Sequence, residues 1–429
     1  MKILDYKSAD FAGQLQKACA AASPSAEVSA AVDAVIADVR ARGDAAVFAF
    51  TKKFDGADIC AKNVRVSDAE FKAAVAAVPA ADKRAMRSAI ACVKKFNARS
   101  KPKNWRAKNP HGATVGETFF PIGRVGIYIP GGQAPLVSTV VMTATLAKIA
   151  GCPEICVCTP PARDGSVNPH VLCALSLLGV GEVYKIGGSQ AIAAMGVGTE
   201  SVKKVDKLFG PGNAFVMETK RRLFGEVGCD LLPGPSEVLI LADANANARY
   251  IAADLLSQAE HGSGREKIFF ITTSPKLVRE VGREIASLSA SLSRAEKLSK
   301  IIDEGCYVVE VPSLEAGAKV AEYVAPEHME IHARGAERLA SKITTAGAVL
   351  VGENSPTVLG DFTAGPSHTL PTGRTGRFSG GLQVSDFMRR SSYVKYGKKS
   401  LALARETVVA FGKMEGLDAH YKSLLERLK

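Results

Sequence analysis

From residue 124 onward the chain repeats one pattern: a short apolar run, a turn rich in glycine or proline, then a longer stretch with helical spacing. RVGIYIP (124–130) leads to VSTVVMTATLAKIAG, EICVCTPP to HVLCALSLLG, EVYKIGG to SQAIAAMG, and KVDKLFGPG to NAFVMETKRRLFG. A second series opens at EVLILAD (237–243) and continues through NARYIAADLLSQAEHG, KIFFITTS, PKLVREVGREIASL, YVVEVPS and GAVLVG. Short runs that are apolar throughout are strands buried on both faces, and parallel pairing of such strands needs a crossover helix between them. The chain therefore reads as α/β, with two modules in tandem over residues 116–235 and 236–381. Its 429 residues are enough for both cores.

The flanks have a different texture. Residues 1–115 place apolar side chains at helical spacing in AEVSAAVDAVIADVRARGDAAVFAFTKKF and AEFKAAVAAV, which predicts a mainly helical segment packing on the core. Residues 382–429 turn helical and basic and end in GKMEGLDAHYKSLLERLK. No stretch of eighteen apolar residues occurs, and Asp5 and Asp10 interrupt the N-terminus where a signal peptide needs an apolar core. A cytoplasmic protein without a membrane partner is expected. The nine cysteines include no C-x-x-C pair; Cys152, Cys156 and Cys158 read as small core thiols.

The formal charge of +12 raises the question of acidic partners. Seven basic residues fall between Lys94 and Lys108, with Phe96 and Trp105 among them, a pattern that can track a nucleic-acid backbone. No nucleic-acid module accompanies it. We read the run as solvated surface able to steer an anionic cofactor, with no nucleic-acid partner.

Open parallel sheets bind ligands at the carboxyl ends of their strands. The turns IPGGQAP, IGGSQA, FGPGNAF and PGPSEVL are assigned to that position, where small residues let a phosphate or sugar approach the backbone. No G-x-G-x-x-G follows any strand, so these turns specify only a phosphate-bearing or small polar ligand.

Five polar motifs break the apolar texture. DLLSQAEHG sets Gln258 and His261 on one face at the end of a helix stopped by Gly262 and Gly264. In APEHMEIHA, Pro326 is suited to start a helix whose first turn holds Glu327 and His328. LGDFTAGPSHTLPT carries Asp361 and His368, GPSEVL carries Ser236 and Glu237, and EGLDAH carries Glu415 and His420. Four of the seven histidines thus sit beside carboxylates or amides, a donor set suited to Zn²⁺ or another borderline divalent ion. An adjacent Glu-His pair offers two groups of different intrinsic pKa for successive proton transfers. His111, His170 and His332 lack such company and are assigned to the surface. The residues alone describe a metal-assisted enzyme on an α/β scaffold.

Taken in order, IPGGQAPLVSTVVM, GGSQAIAA, VDKLFGPGNAFV, GPSEVL, DLLSQAEHG, APEHMEI, GDFTAGPSHTLPT and EGLDAH resemble the histidinol dehydrogenase family, over nearly the whole chain from about residue 25. The resemblance implies two incomplete Rossmann-like modules and a zinc-dependent homodimer. It also implies oxidation of L-histidinol to L-histidine, with two NAD⁺ reduced in succession and histidinaldehyde held between the steps. Carried over position by position, Gln258, His261, Asp361 and His420 would be zinc ligands. His328 would be the general base and Glu327 would activate water at the aldehyde stage. Ser236, His368 and Glu415 match substrate contacts, as do His328 and the four metal positions, while Tyr128, Gln190 and Asn213 match dinucleotide contacts. The tail over 382–429 would carry Glu415 and His420 into the neighbouring subunit's site. The dihydroxypropanesulfonate 3-dehydrogenases are a sister reading that shares much of this framework; the intact EGLDAH and the Glu327-His328 pair favour histidinol.

Overall fold

The computed structural model describes residues 1–20, 25–131, 135–261 and 264–429. The two predicted series form two parallel sheets. In the first, Glu182–Lys185, Glu154–Thr159, Arg124–Tyr128, Lys207–Phe209 and Gly228–Cys229 lie side by side. In the second the order is Lys2–Leu4, Cys306–Glu310, Lys267–Thr272, Glu237–Ala242, His328–His332 and Ala348–Val351.

Helices cover both faces of each sheet, as uniformly apolar strands require. On the first sheet, Val137–Ala150 and Pro169–Leu177 bury one face with Val125, Ile127 and Val157, while Gly188–Val197 and Ala214–Leu223 bury the other with Cys156, Cys158 and Tyr184. The N-terminal helices extend these cores: Ala26–Arg42 and Asp44–Asp55 join the second, Ala80–Asn97 the first. On the second sheet, Ala248–Ala259, Pro275–Ser289 and Ala295–Gly305 pack against Val238, Ile240 and Phe270, and Leu314–Val324 packs against Leu239, Leu241 and Met329.

Three segments differ from the sequence reading. Lys2–Leu4, assigned to a helical flank, is the edge strand of the second sheet, and three residues are too few to show a period. The basic tail opens with the single 3-10 turn Val384–Phe387 and then the strand Met388–Lys395, which pairs antiparallel with Thr114–Pro121, itself paired with Trp105–Lys108. That partner lies so far away in sequence that no local pattern reveals it. Helices Lys398–Met414 and Asp418–Glu426 follow.

The third correction concerns the site. Pro326 starts no helix: His328–His332 is a buried strand between Glu237–Ala242 and Ala348–Val351. Ala325, at φ +49°, ends the preceding helix in the left-handed region, and two flanking strands satisfy the backbone groups that follow. Among the described residues, no helix is long and apolar enough to cross a membrane.

Within the first module Lys220 is fully enclosed and ion-paired with Asp230. Its ammonium also donates to the carbonyls of Gly210 (3.0 Å) and Leu231 (2.9 Å), while Asp230 Oδ2 accepts from the Gly210 amide at 2.8 Å. This pair holds the FGPGN turn. Lys220→Met leaves Asp230 buried and unpaired, and should cost about 3–5 kcal/mol. A guanidinium chloride titration would measure this, and Lys220→Met/Asp230→Leu should recover part of it.

Candidate functional site

The two sheets present opposite edges to their polar residues. At the carboxyl edge of the first, Tyr128 ends the central strand and its hydroxyl accepts from the Gly188 amide at 3.0 Å. Gln190 lies in the first turn of Gly188–Val197, with Nε2 3.4 Å from Asp55 Oδ2 and Oε1 buried without a partner among the described residues. Asn213 caps Ala214–Leu223, its side chain accepting from the amides of Phe215 and Val216, each at 3.1 Å. Gly210, at φ +109°, must be glycine, because a Cβ there would collide with the Tyr128 carbonyl. Two helix N-termini beside a carboxylate that can accept from hydroxyls suit a phosphate-bearing, hydroxylated ligand. Part of IPGGQAP lies outside the described residues, as does Gly262.

The second sheet uses its amino edge, contrary to the expectation that all ligand turns would lie at carboxyl ends. The reason is directional. Ala248–Ala259 follows the strand Glu237–Ala242 and runs back along it, so the end of the helix returns to where the strands begin. There Glu237 organises the Glu327–His328 pair through its backbone. Its amide donates to Glu327 Oε2 at 2.9 Å, and its carbonyl lies 3.2 Å from His328 Nδ1. A carbonyl only accepts, so Nδ1 carries the proton and Nε2 is left with its lone pair, 3.9 Å from Asp361 Oδ1. The Glu237 side chain is anchored in turn by the Gly373 amide (3.1 Å to Oε1) and by Lys267 (3.5 Å).

Burial sets the protonation of this cluster. It raises the Glu327 carboxyl well above its usual range, with the charges of Glu237 and Asp361 adding to the effect. It lowers His328, although Asp361 opposes the shift. His368 is pushed down to about 4, first by burial and then by His328 and His261, again against Asp361. His261, His328, Asp361 and His368 therefore share one electrostatic site. His261 stands just past the helix, not inside its last turn as expected, with Nδ1 3.2 Å from the Gln258 carbonyl.

Gln258 is buried, and neither its amide oxygen nor its nitrogen has a hydrogen-bond partner among the described residues. Such orphans cost about 1–3 kcal/mol each unless a ligand engages them. With the His261 imidazole three residues on, the orphaned amide oxygen fits a borderline divalent cation.

Ser236 belongs to segment 230–236, which joins the carboxyl edge of the first sheet to the amino edge of the second. The loop bearing His368 also touches both modules. Asn97 Nδ2 donates to the Gly365 carbonyl (2.9 Å), Ser367 Oγ lies 3.5 Å from the Met142 carbonyl, and Gly373 bonds Glu237. Glu415 is exposed at the turn between the last two helices and His420 in the first turn of the last one, and among the described residues neither side chain is bonded to the cluster.

The sequence reading gave no role to Asp55 or Lys267. It misplaced His332, which is buried and bonded to Glu330 at 3.1 Å, with Asp254 3.9 Å away. The signal was present in HMEIH: polar side chains alternate along a strand buried on both faces, where solvent cannot explain them. His170, bonded to Asp82, is half-exposed as expected.

Burial raises the Asp55 carboxyl to about 6. A carboxylate whose folded pKa is raised destabilises the fold above that value and makes no difference below the unfolded value near 4. Asp55→Asn should therefore raise Tm by about 2–6 °C at pH 7.5, with the gain vanishing by pH 4. Differential scanning calorimetry across that range measures it.

With the geometry established, comparison with known proteins is informative. Residues 20–428 match the family model described as histidinol dehydrogenase. A histidinol dehydrogenase of Symbiobacterium thermophilum is 40% identical over 402 residues, covering 94% of this chain and 91% of the relative. That of Rhodopseudomonas palustris is 42% identical over 426 residues, covering 99% and 98%. The crystal structure of histidinol dehydrogenase from Elizabethkingia anophelis superposes with a TM-score of 0.95 at 33% identity, covering 100% of this chain and 98% of that one. Similarity of this extent, over chains of matching length, places the protein in the histidinol dehydrogenase family.

Proposed function

We propose that the protein catalyses the four-electron oxidation of L-histidinol to L-histidine, closing histidine biosynthesis. The balance is one alcohol, one water and two NAD⁺ giving one carboxylate, two NADH and three protons. The observation that carries this reading is the Glu237 backbone clamp, which aims an unprotonated His328 Nε2 and a buried Glu327 at one cluster with the orphaned Gln258 amide.

His328 Nε2 takes the hydroxyl proton at the alcohol stage, a role that burial favours by keeping the ring neutral near pH 7. Glu327 positions and deprotonates the water that adds to the aldehyde. Its raised pKa makes it a stronger base than an exposed carboxylate. Ser236 and His368, on the two segments that span the modules, contact substrate. Tyr128, Gln190 and Asn213 bind the dinucleotide at the opposite edge. Gln258, His261 and Asp361 would hold zinc, with His420 from a second copy of the chain. When bound, NAD⁺ accepts electron pairs as hydride and zinc orients the substrate's imidazole and amine.

We further propose a homodimer in which the tail exchanges, bringing Glu415 and His420 to the neighbouring site. In support, both residues are exposed away from the cluster, and the helix before them leaves Leu403, Phe411 and Met414 exposed. A cytoplasmic setting is the companion proposal, supported by nine free cysteines.

The test supplies zinc-loaded protein with limiting L-histidinol and excess NAD⁺, and counts NADH. Two per histidinol, with histidine as product, is expected, and His328→Ala should slow turnover by about 10²–10⁴-fold. One per histidinol with aldehyde released would remove the water step from Glu327. No turnover of histidinol alongside turnover of dihydroxypropanesulfonate would overturn the substrate. For the exchanged tail, mixed dimers of His328→Ala and His420→Ala chains should regain activity, because one of the two shared sites is then intact. Mixtures as inactive as the parents would mean each site is built from a single chain.

A further inference from the structure

One layer beneath this cluster lies a second buried polar group with no assigned role. The strand His328–His332 turns His328, Glu330 and His332 to the face covered by Ala248–Ala259, where Asp254 stands one helical turn before Gln258. Glu330 is the hub. Its Oε1 accepts from the Thr357 amide (2.8 Å) and hydroxyl (2.6 Å), and its Oε2 lies 3.1 Å from His332 Nε2. Asp254 Oδ2 is 3.9 Å from that same nitrogen.

The three elements joined here each carry one residue of the site above: the helix carries Gln258, the strand His328, and the short helix Thr357–Phe362 carries Asp361. Thr357–Phe362 is six residues long and buries only Thr357. A helix that short has no stability of its own. The pair of bonds from Thr357 to Glu330 anchors the start of this helix to the sheet. Burial, followed by the facing charge of Glu330, raises the Asp254 carboxyl to about 8, so Asp254 enters the group as a neutral acid near pH 7.

We propose that Glu330, with Thr357, His332 and Asp254, is a positioning centre that sets the spacing between Asp361 and Gln258 and thereby the affinity of the site for its metal. This rests on reading Gln258, His261 and Asp361 as ligands. None of the four touches the reacting atoms. Asp254, Glu330 and His332 also offer ligand atoms within 4.8 Å of one another, so a second cation is the competing occupant. Engagement of both Glu330 oxygens by Thr357 and His332 argues for the brace.

The experiment measures the zinc Kd by chelator competition, zinc per chain by elemental analysis, kcat, and KM for histidinol and for NAD⁺. Thr357→Val removes one bond from the hub and should weaken zinc by about tenfold or more, lowering kcat at limiting zinc while KM for NAD⁺ is unchanged. Thr357→Ser restores the hydroxyl and should return the Kd to within about threefold of the parent. Glu330→Gln, which keeps an acceptor for Thr357 but loses the acceptor for His332, is a second and independent break, also expected to weaken zinc. Parental zinc affinity in both Thr357→Val and Glu330→Gln would overturn the proposal. So would a second zinc per chain that His332→Ala abolishes. His261→Ala separates the two levels: if it binds zinc like the parent, the ligand reading falls and the brace falls with it. If it loses zinc while the parent fails on histidinol, only the substrate reading falls, and the zinc affinities still decide the brace.

Discussion

The site depends on one stretch of backbone. Glu237 donates its amide to Glu327 and offers its carbonyl to His328, so both side chains of the Glu-His pair take their positions from a neighbouring strand. The register that pairs His328 with Val238 makes this possible. A slip of one residue would turn His328, Glu330 and His332 to the opposite face, away from the helix that carries Gln258. Strand pairing therefore selects the tautomer of His328 as well as its location. Lys267 and the Gly373 amide, by holding the Glu237 side chain, tie that register to the loop bearing His368.

The second constraint is polarity of the sheets. The first module offers the carboxyl ends of its strands and the N-termini of the helices that follow, an arrangement favourable to phosphate. The second offers the amino ends of its strands, where the end of Ala248–Ala259 brings an amide and an imidazole. Segment 230–236 runs from one edge to the other, and the loop from Gly365 to Gly373 is bonded to both modules. Joining two α/β units so that opposite edges are linked sets a helix-N-terminal platform suited to phosphate apart from a buried cluster of carboxylate, imidazole and amide groups.

This arrangement carries a cost in stability. Glu327, Glu237, Gln258 and His328 occupy buried positions where aliphatic side chains would pack, and burial shifts the pKa of each ionisable member in the direction that disfavours charge. The same burial leaves a neutral imidazole with a free nitrogen beside a carboxyl more basic than an exposed one. Below them, Glu330 accepts from Thr357 through one oxygen and faces His332 with the other, and such bonds offset part of the cost of burying a carboxylate.

The sequence determined the alternation of strands and helices, because uniformly apolar runs and helical spacing are local properties of the chain. It also marked the polar motifs, and their order carried the family resemblance. It could not reveal the strand at Met388–Lys395 or the edge strand at Lys2–Leu4, whose partners are remote in the chain. Nor could it show that Glu327 and His328 open a strand, since Pro326 suits a helix start as readily as an extended entry. Tertiary structure decided which edge of each sheet is used, which nitrogen of His328 is free, and that His332 is buried beside Glu330 and Asp254. Each depends on pairing register and on groups brought together across the fold, and distances between remote residues are not written in any local pattern.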